Sequence, residues 1–263
     1  MKSSKITVAA SLVMSLFALQ PNSAFADDEK GWNIGLGLGY EIEKSLFKFD
    51  DEDGGLVPLP ILEYNGGWYS ISPFGVEAEA SIYEKGDWEV EIFSELEFGL
   101  LNDSRDESDS RIFAGMDERK EASHFILGVD LTTPVGIFGV EAAQDVSSAH
   151  DGYMADIYYR LPLYYSKKTN FIVSAGVEQF SGKFIDYYYG VRANEVNADR
   201  SFYKGESASS AYIGYLYEHE FSKHWSVLHE LKYSDVPDEV RLSPLTENED
   251  SLLSTSLLLV YRY

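Results

Sequence analysis

The sequence predicts an all-β fold, a transmembrane antiparallel up-and-down β-barrel of about twelve strands with short periplasmic turns and long extracellular loops. Three observations carry that reading. Apolar and polar residues alternate with period two through segments of about ten residues, the pattern of strands with one face in lipid. Short and long connections alternate along the chain. The last strand is amphipathic and closes on an aromatic residue, Tyr263.

The first element lies outside the barrel. Lys2 and Lys5 form a short basic segment, Ile6 to Leu19 an apolar run, and Ala24-Phe25-Ala26 the small-x-small pattern read by signal peptidase. The run is too short to cross a bilayer with ease, so 1–26 is expected to be a cleaved secretory signal peptide rather than a buried helix. A single barrel domain over 27–263 is the expected remainder. The absence of cysteine rules out a disulfide scaffold, a thiolate site and a lipid-modified cysteine anchor. An exported, cysteine-free chain suits the envelope of a Gram-negative bacterium.

The strands are read as roughly 32–42, 57–64, 67–73, 75–83, 88–101, 122–133, 136–147, 153–165, 170–180, 209–221, 225–235 and 251–263. In the first, Ile34, Leu36, Leu38, Tyr40 and Ile42 alternate with Asn33, Gly35, Gly37, Gly39 and Glu41. Val76, Ala78, Ala80 and Ile82 alternate with Glu77, Glu79 and Ser81. The fifth segment is the clearest: Trp88, Val90, Ile92, Leu96, Phe98 and Leu100 share one face, and Glu89, Glu91, Glu95 and Glu97 the other. A helix would scatter those glutamates around its axis.

Asn65-Gly66, 84–87, 133–135, 166–169 and 222–224 read as short turns, whereas 43–56, 102–121, 181–208 and 236–250 are long and polar. Ser72-Pro73-Phe74 must be a tight outside turn for the parity to hold; otherwise the count is ten. Trp32, Trp68, Trp88 and Trp225 each open a strand rising from the periplasmic side, the level of one aromatic girdle. Tyr261 and Tyr263 end the outward face of the last strand, the kind of signal read by the barrel-assembly machinery.

The 263 residues include 44 acidic and 21 basic side chains, a net charge of −23. Phosphate binding needs clustered Lys and Arg, so nucleic acid is excluded as a partner. The mean hydropathy of −0.22 resembles that of a soluble protein. A barrel gives the same mean, because its strands are apolar on one face only. Charged residues facing lipid near the midplane cost a few kcal/mol, about 2–4 for Lys or Arg. Glu77, Glu79, Glu89, Glu91, Glu95 and Glu97 are therefore assigned to the lumen, with Arg160, Lys232 and Arg262 on the inward faces of other strands. With a continuous water path, such a lumen favours cations.

Little else points to chemistry. His124, His150, His219, His224 and His229 fit no compact metal motif, and no H-E-x-x-H is present. Ser147-Ser148 beside His150-Asp151 is the one cluster resembling a nucleophile and base, in a loop where Ser and Asp are ordinary turn formers. The oxygen-rich 102–121 loop lacks the glycine and final glutamate of an EF-hand, so Ca²⁺ binding is not implied. No catalytic, cofactor or metal residue is assigned. Asp186 with the Tyr187-Tyr188-Tyr189 run is a candidate loop interaction surface; a girdle position or a strand extension is the alternative.

Several short motifs occur in a family order: Val57-Pro58-Leu59-Pro60, Gly115-Met116-Asp117, His150-Asp151-Gly152, Asp186 to Val191, Leu242-Ser243-Pro244-Leu245 and the closing Leu259-Val260-Tyr261-Arg262-Tyr263. Together they resemble the MltA-interacting protein (MipA/OmpV) family of outer-membrane proteins, with Tyr in place of Phe at the end. The resemblance implies an outer-membrane barrel and a non-catalytic scaffold role, linking a lytic transglycosylase to a murein synthase in peptidoglycan assembly. The acidic 102–121 loop departs from the family pattern. A small cation-preferring channel and a surface adhesin are the alternatives. The expected partners are outer-membrane lipid, the assembly machinery and, through the resemblance, those two murein enzymes.

Overall fold

A computed structural model describes residues 30–43, 45–49, 55–98, 110–120 and 122–263. The expected signal peptide lies outside the described residues. Twelve strands close into one barrel in which each strand pairs its chain neighbours and β1 pairs β12. They are β1 Gly31–Glu43, β2 Gly55–Asn65, β3 Tyr69–Ser72, β4 Gly75–Lys85, β5 Trp88–Glu97, β6 His124–Thr133, β7 Gly136–Asp145, β8 Tyr153–Ser166, β9 Thr169–Phe180, β10 Ala208–Glu220, β11 Trp225–Asp235 and β12 Ser251–Arg262. Every pairing is antiparallel, and closure runs from Gly35 opposite Arg262 to Glu43 opposite Ser254. Closure leaves no strand at an edge of the ladder order, as lipid demands of a strand-built span, with the shortest seam between β2 and β3 at Tyr64–Ile71 and Asn65–Ser70.

The alternation sets the faces. Leu36, Leu38, Phe125, Leu127, Val140, Ile157, Leu253 and Leu257 are exposed on the outer surface. Their strand neighbours point into the barrel. On the β12 side the interior is filled by Leu59, Leu216, Leu228, Leu258 and Val260, all buried. Gly37 makes this packing possible, because a Cβ there would lie 2.9 Å from Leu258 Cδ1.

Two bulges adjust the wall. The register shifts between Ser81 and Tyr83 in β4, and between Pro162 and Tyr164 in β8, where proline lacks the N–H a ladder needs. Some boundaries differ from those read in the sequence. β3 is only Tyr69–Ser72, not 67–73, because Ser72 Oγ accepts the N–H groups of Phe74 and Gly75 at 3.1 and 3.3 Å and turns the chain at Pro73. β7 stops at Asp145 rather than 147, since its carboxylate accepts the N–H groups of Ser147, His150 and Asp151. β5 is assigned to Glu97, and 99–109 lie outside the described residues.

The segment expected as an irregular loop at 181–208 holds a helix, α1 Gly182–Tyr189, capped by Ser181, whose side chain accepts from Phe184 N. A second short helix, α2 Asp238–Arg241, lies in the β11–β12 loop. These loops pack together into an extracellular cap. One apolar cluster joins Phe47, Ile112, Phe113, Val191 and Leu245; another joins Ile185, Ala208, Val236 and Val240. Backbone hydrogen bonds from Lys48 N to Leu245 O and from Glu247 N to Leu46 O tie the first loop to the last.

Candidate functional site

The inner wall between β4 and β6 is acidic. Glu77 sits directly opposite Glu95, Glu79 opposite Phe93, Glu91 opposite Ser81 and Asp130, and Glu97 opposite His124. Like charges directly opposite one another weaken a ladder, so this arrangement costs stability. The β4 bulge turns Glu84 to the same face, opposite Glu89. Of the inward cations, Lys232 Nζ meets Glu178 Oε1 at 2.7 Å and Arg160 meets Asp130, at the β6 edge of the wall, at 3.5 Å. Arg262 Nη1 donates to Ser226 Oγ at 3.1 Å. Among the described residues, no Lys or Arg forms an ion pair with Glu77, Glu79, Glu91 or Glu95. The lumen is thus polarised, with a filled, charge-balanced side and an acidic side.

The cap has its own polar core. Arg119 donates to both carboxylate oxygens of Glu195 at 2.8 Å, and both side chains are buried. The same guanidinium donates to the carbonyls of Tyr187 and Asp117 at 2.8 and 2.6 Å. Arg200 reaches the carbonyls of Ile112, Ala114 and Glu195. Burial alone would raise the Glu195 carboxyl, but hydrogen bonds from Arg192 N–H and from Arg119 outweigh it and hold it below the usual carboxylate range.

A histidine relay joins this cap to the barrel rim. Gly152 N–H donates to His150 Nδ1 at 2.9 Å, which places the neutral ring's proton on Nε2. That N–H faces His124 Nε2 at 3.4 Å, and His124 Nδ1 faces Glu97 Oε2 at 3.2 Å. One orientation satisfies the chain, with protons directed from His150 to His124 to Glu97. A metal between the two Nε2 atoms would need His150 Nδ1 as a donor, which the Gly152 contact opposes. Phe184, Tyr187 and Tyr188 of α1 surround the His150 ring at centroid distances of 5.2, 6.0 and 5.7 Å.

The residues singled out in the sequence fall as follows. The six glutamates share one inward face. Trp32, Trp68, Trp88 and Trp225 are exposed at the periplasmic ends of the barrel, Trp32 against Tyr64 and Trp225 against Tyr261. Tyr261 and Tyr263 lie edge to face at the end of the chain. The tyrosine run is neither girdle nor strand but helix. Tyr189 stacks on Phe47, Tyr187 OH accepts from Lys120 N, and Asp186 accepts from Gly205 N. Ser147 Oγ donates to Asp145 at 2.8 Å, so its proton is directed to that loop-closing carboxylate rather than to His150. Asp117 pairs with Arg192 at 2.8 Å, while Asp103, Asp106, Glu107, Asp109 and Glu121 lie outside the described residues.

The histidine relay and the Arg119–Glu195 pair were not legible in the sequence. They join residues far apart in the chain, and only the strand register, with His124 opposite Asp145, brings the relay together.

The model of the MltA-interacting protein MipA family matches residues 35–263, all of the barrel except the first four residues of β1. The chain belongs to that family. Relatives of this MipA-family barrel carry outer-membrane names. Outer membrane protein Omp26La of Vibrio anguillarum is 23% identical over 56% of this chain and 57% of its own length. Outer membrane protein OmpV of Vibrio cholerae is 22% identical over the same shares. The chain thus spans just over half the length of these two relatives. Among solved structures, a loop-deletion form of OmpT of Vibrio cholerae overlaps with a TM-score of 0.37 at 10% identity, covering 89% of this chain and 99% of that one. The protein is an outer-membrane β-barrel.

Proposed function

We propose that this protein is a non-catalytic anchor of the cell envelope that binds a murein-modifying enzyme, a reading supported by the family description, MltA-interacting protein. The observation that supports this is the extent of the match, which takes in barrel, turns and cap together rather than one motif. In this reading the four tryptophans hold the barrel at the inner interface, and Tyr261 and Tyr263 present its assembly signal. The acidic wall is the lumen lining, and the tyrosine helix is a structural part of the cap. A lytic transglycosylase approaching from the periplasm meets the rim and the short turns around Lys85, Lys167 and Lys223, and a murein synthase joins the same assembly. Photocrosslinkers placed in those turns in living cells should trap a murein hydrolase or synthase. Recovery of neither, with the barrel assembled, would contradict the proposal.

A second reading is favoured by one observation, the Glu77–Glu95 pair with no basic partner among the described residues. It makes the acidic side of the lumen a cation-preferring path. Planar bilayers with a salt gradient test it: reversal potentials should show cation preference that falls toward unity in the Glu77→Gln/Glu95→Gln variant. Silence in the bilayer removes this reading.

A further inference from the structure

The outward periplasmic end of β8 to β11 carries a basic arc whose lysines form no ion pair among the described residues. Two adjacent turns share one construction. In the β8–β9 turn, Ser166 Oγ accepts from Lys168 N and Thr169 N at 3.4 and 3.1 Å; in the β10–β11 turn, Ser222 Oγ accepts from His224 N and Trp225 N at 3.3 and 3.2 Å. Glu220 N donates to Lys168 O at 2.8 Å, so the two turns lie side by side. Lys167, Lys168 and Lys223 are exposed and form no ion pair among the described residues. The nearby carboxylates are on the other face: Glu218 is buried in the lumen against Asn170, and Glu220 shares its face of β10.

Directly above the lysines the outer wall is aromatic. Tyr164, Phe221 and Trp225 are exposed on outward faces, with Phe221 N bonded to Trp225 O at 2.9 Å. Trp and Tyr at a membrane surface mark the headgroup level. Three lysines one step beyond that level, on short turns, therefore lie at the phosphates of the inner leaflet. The opposite side of the rim differs, since its turn holds one lysine, Lys85, together with Asp87.

We propose that the β8–β11 rim is a binding site for an anionic phospholipid headgroup of the inner leaflet, with Lys167, Lys168 and Lys223 taking the phosphate and the Tyr164–Phe221–Trp225 wall taking the first part of the acyl chains. A protein strand is not the occupant, because both turns are closed hairpins with paired backbones. This goes beyond anchoring a murein enzyme, with which it shares the 166–169 and 222–224 turns, and it is read out with that enzyme absent.

The test uses the full barrel in vesicles of phosphatidylethanolamine with a small fraction of brominated lipid, no murein enzyme being present. With Trp32, Trp68 and Trp88 replaced by Phe, Trp225 reports lipid contact by bromine quenching. At low salt, brominated phosphatidylglycerol should quench Trp225 at a lipid fraction on the order of tenfold below that needed for brominated phosphatidylethanolamine. The preference should disappear in the Lys167→Gln/Lys168→Gln/Lys223→Gln variant. A protein retaining only Trp88 should show little preference. Equal quenching of Trp225 by both lipids, or an equal preference at Trp88, overturns the site; so does a preference that survives the lysine substitutions. The comparison of lipids on the unsubstituted lysines stands whether or not the lysine variant assembles.

Discussion

Glu195 holds the cap together more than any other single side chain. It accepts from Arg119 Nη2 at both carboxylate oxygens and from the N–H groups of Arg192 and Asp117, and its side chain is fully buried. Removing one partner of such a pair strands the other charge, at a cost of about 3–5 kcal/mol. Glu195→Ala should therefore open the cap while leaving the barrel ladder intact, seen as accelerated amide exchange across 182–207 with unchanged exchange in the strands. The pH dependence has a defined sign. The Glu195 carboxyl is held below its ordinary value of 4.5, so its contribution is complete above that pH and lost as the pH falls through the lowered value. His150 acts earlier. Burial depresses its imidazole below the ordinary 6.5, Asp145 and Asp151 oppose this, and His124 adds to it. The neutral relay is therefore fully stabilising above about pH 6.5 and weakens as the pH falls from there through the depressed value. Protonating His150 sets its new Nδ1–H against the Gly152 N–H at the 2.9 Å contact, with the Asp145 carboxylate 3.9 Å away. Cap exchange measured against pH should show this early step in the native protein and lose it in His150→Phe. An unchanged step in that variant would assign it to another group.

At the scale of elements, the strands were legible and the cap was not. A strand with one face in lipid must alternate, so Trp88 to Glu97 announces itself through its glutamates. The same rule explains why Arg160, Lys232 and Arg262 were placed inward correctly: each meets a polar partner there. Gly182–Tyr189 has no such rule to obey. Its helix is decided by the Ser181 cap and by packing of Ile185 against Ala208, Val236 and Val240, contacts between loops with no sequence period. β3 was overextended because a four-residue strand is shorter than one alternation pattern can define. Within β7, Gly139 is the tightest test of the lumen packing. A Cβ there would meet Tyr158 at 2.0 Å and Asp130 Oδ1 at 2.3 Å. Tyr158 OH donates to that carboxylate at 2.5 Å. Gly139→Val should force the ring aside and destabilise the barrel by about 1–3 kcal/mol, the usual cost of overpacking. Urea unfolding in micelles measures it, and a shift no larger than that of an outward substitution such as Val140→Leu would contradict the packing described.

On the scale of the whole molecule, the acidic excess is distributed rather than uniform. Carboxylates line the β4–β6 wall, arginines are consumed inside the cap, and unpaired lysines collect at the β8–β11 rim. The exterior between the ends is apolar and aromatic, which is why a mean hydropathy of −0.22 belongs to a membrane protein. In the proposed anchor role, a packed cap above and short turns below leave the periplasmic rim as the surface that meets the enzyme. The most direct measurement is binding of a purified lytic transglycosylase to this barrel in nanodiscs. The proposed anchor role predicts saturable binding that is abolished by substitutions in the 84–87, 166–169 and 222–224 turns and untouched by Glu195→Ala in the cap. Absence of binding to a correctly assembled barrel, or binding lost only when the cap is opened, would contradict it.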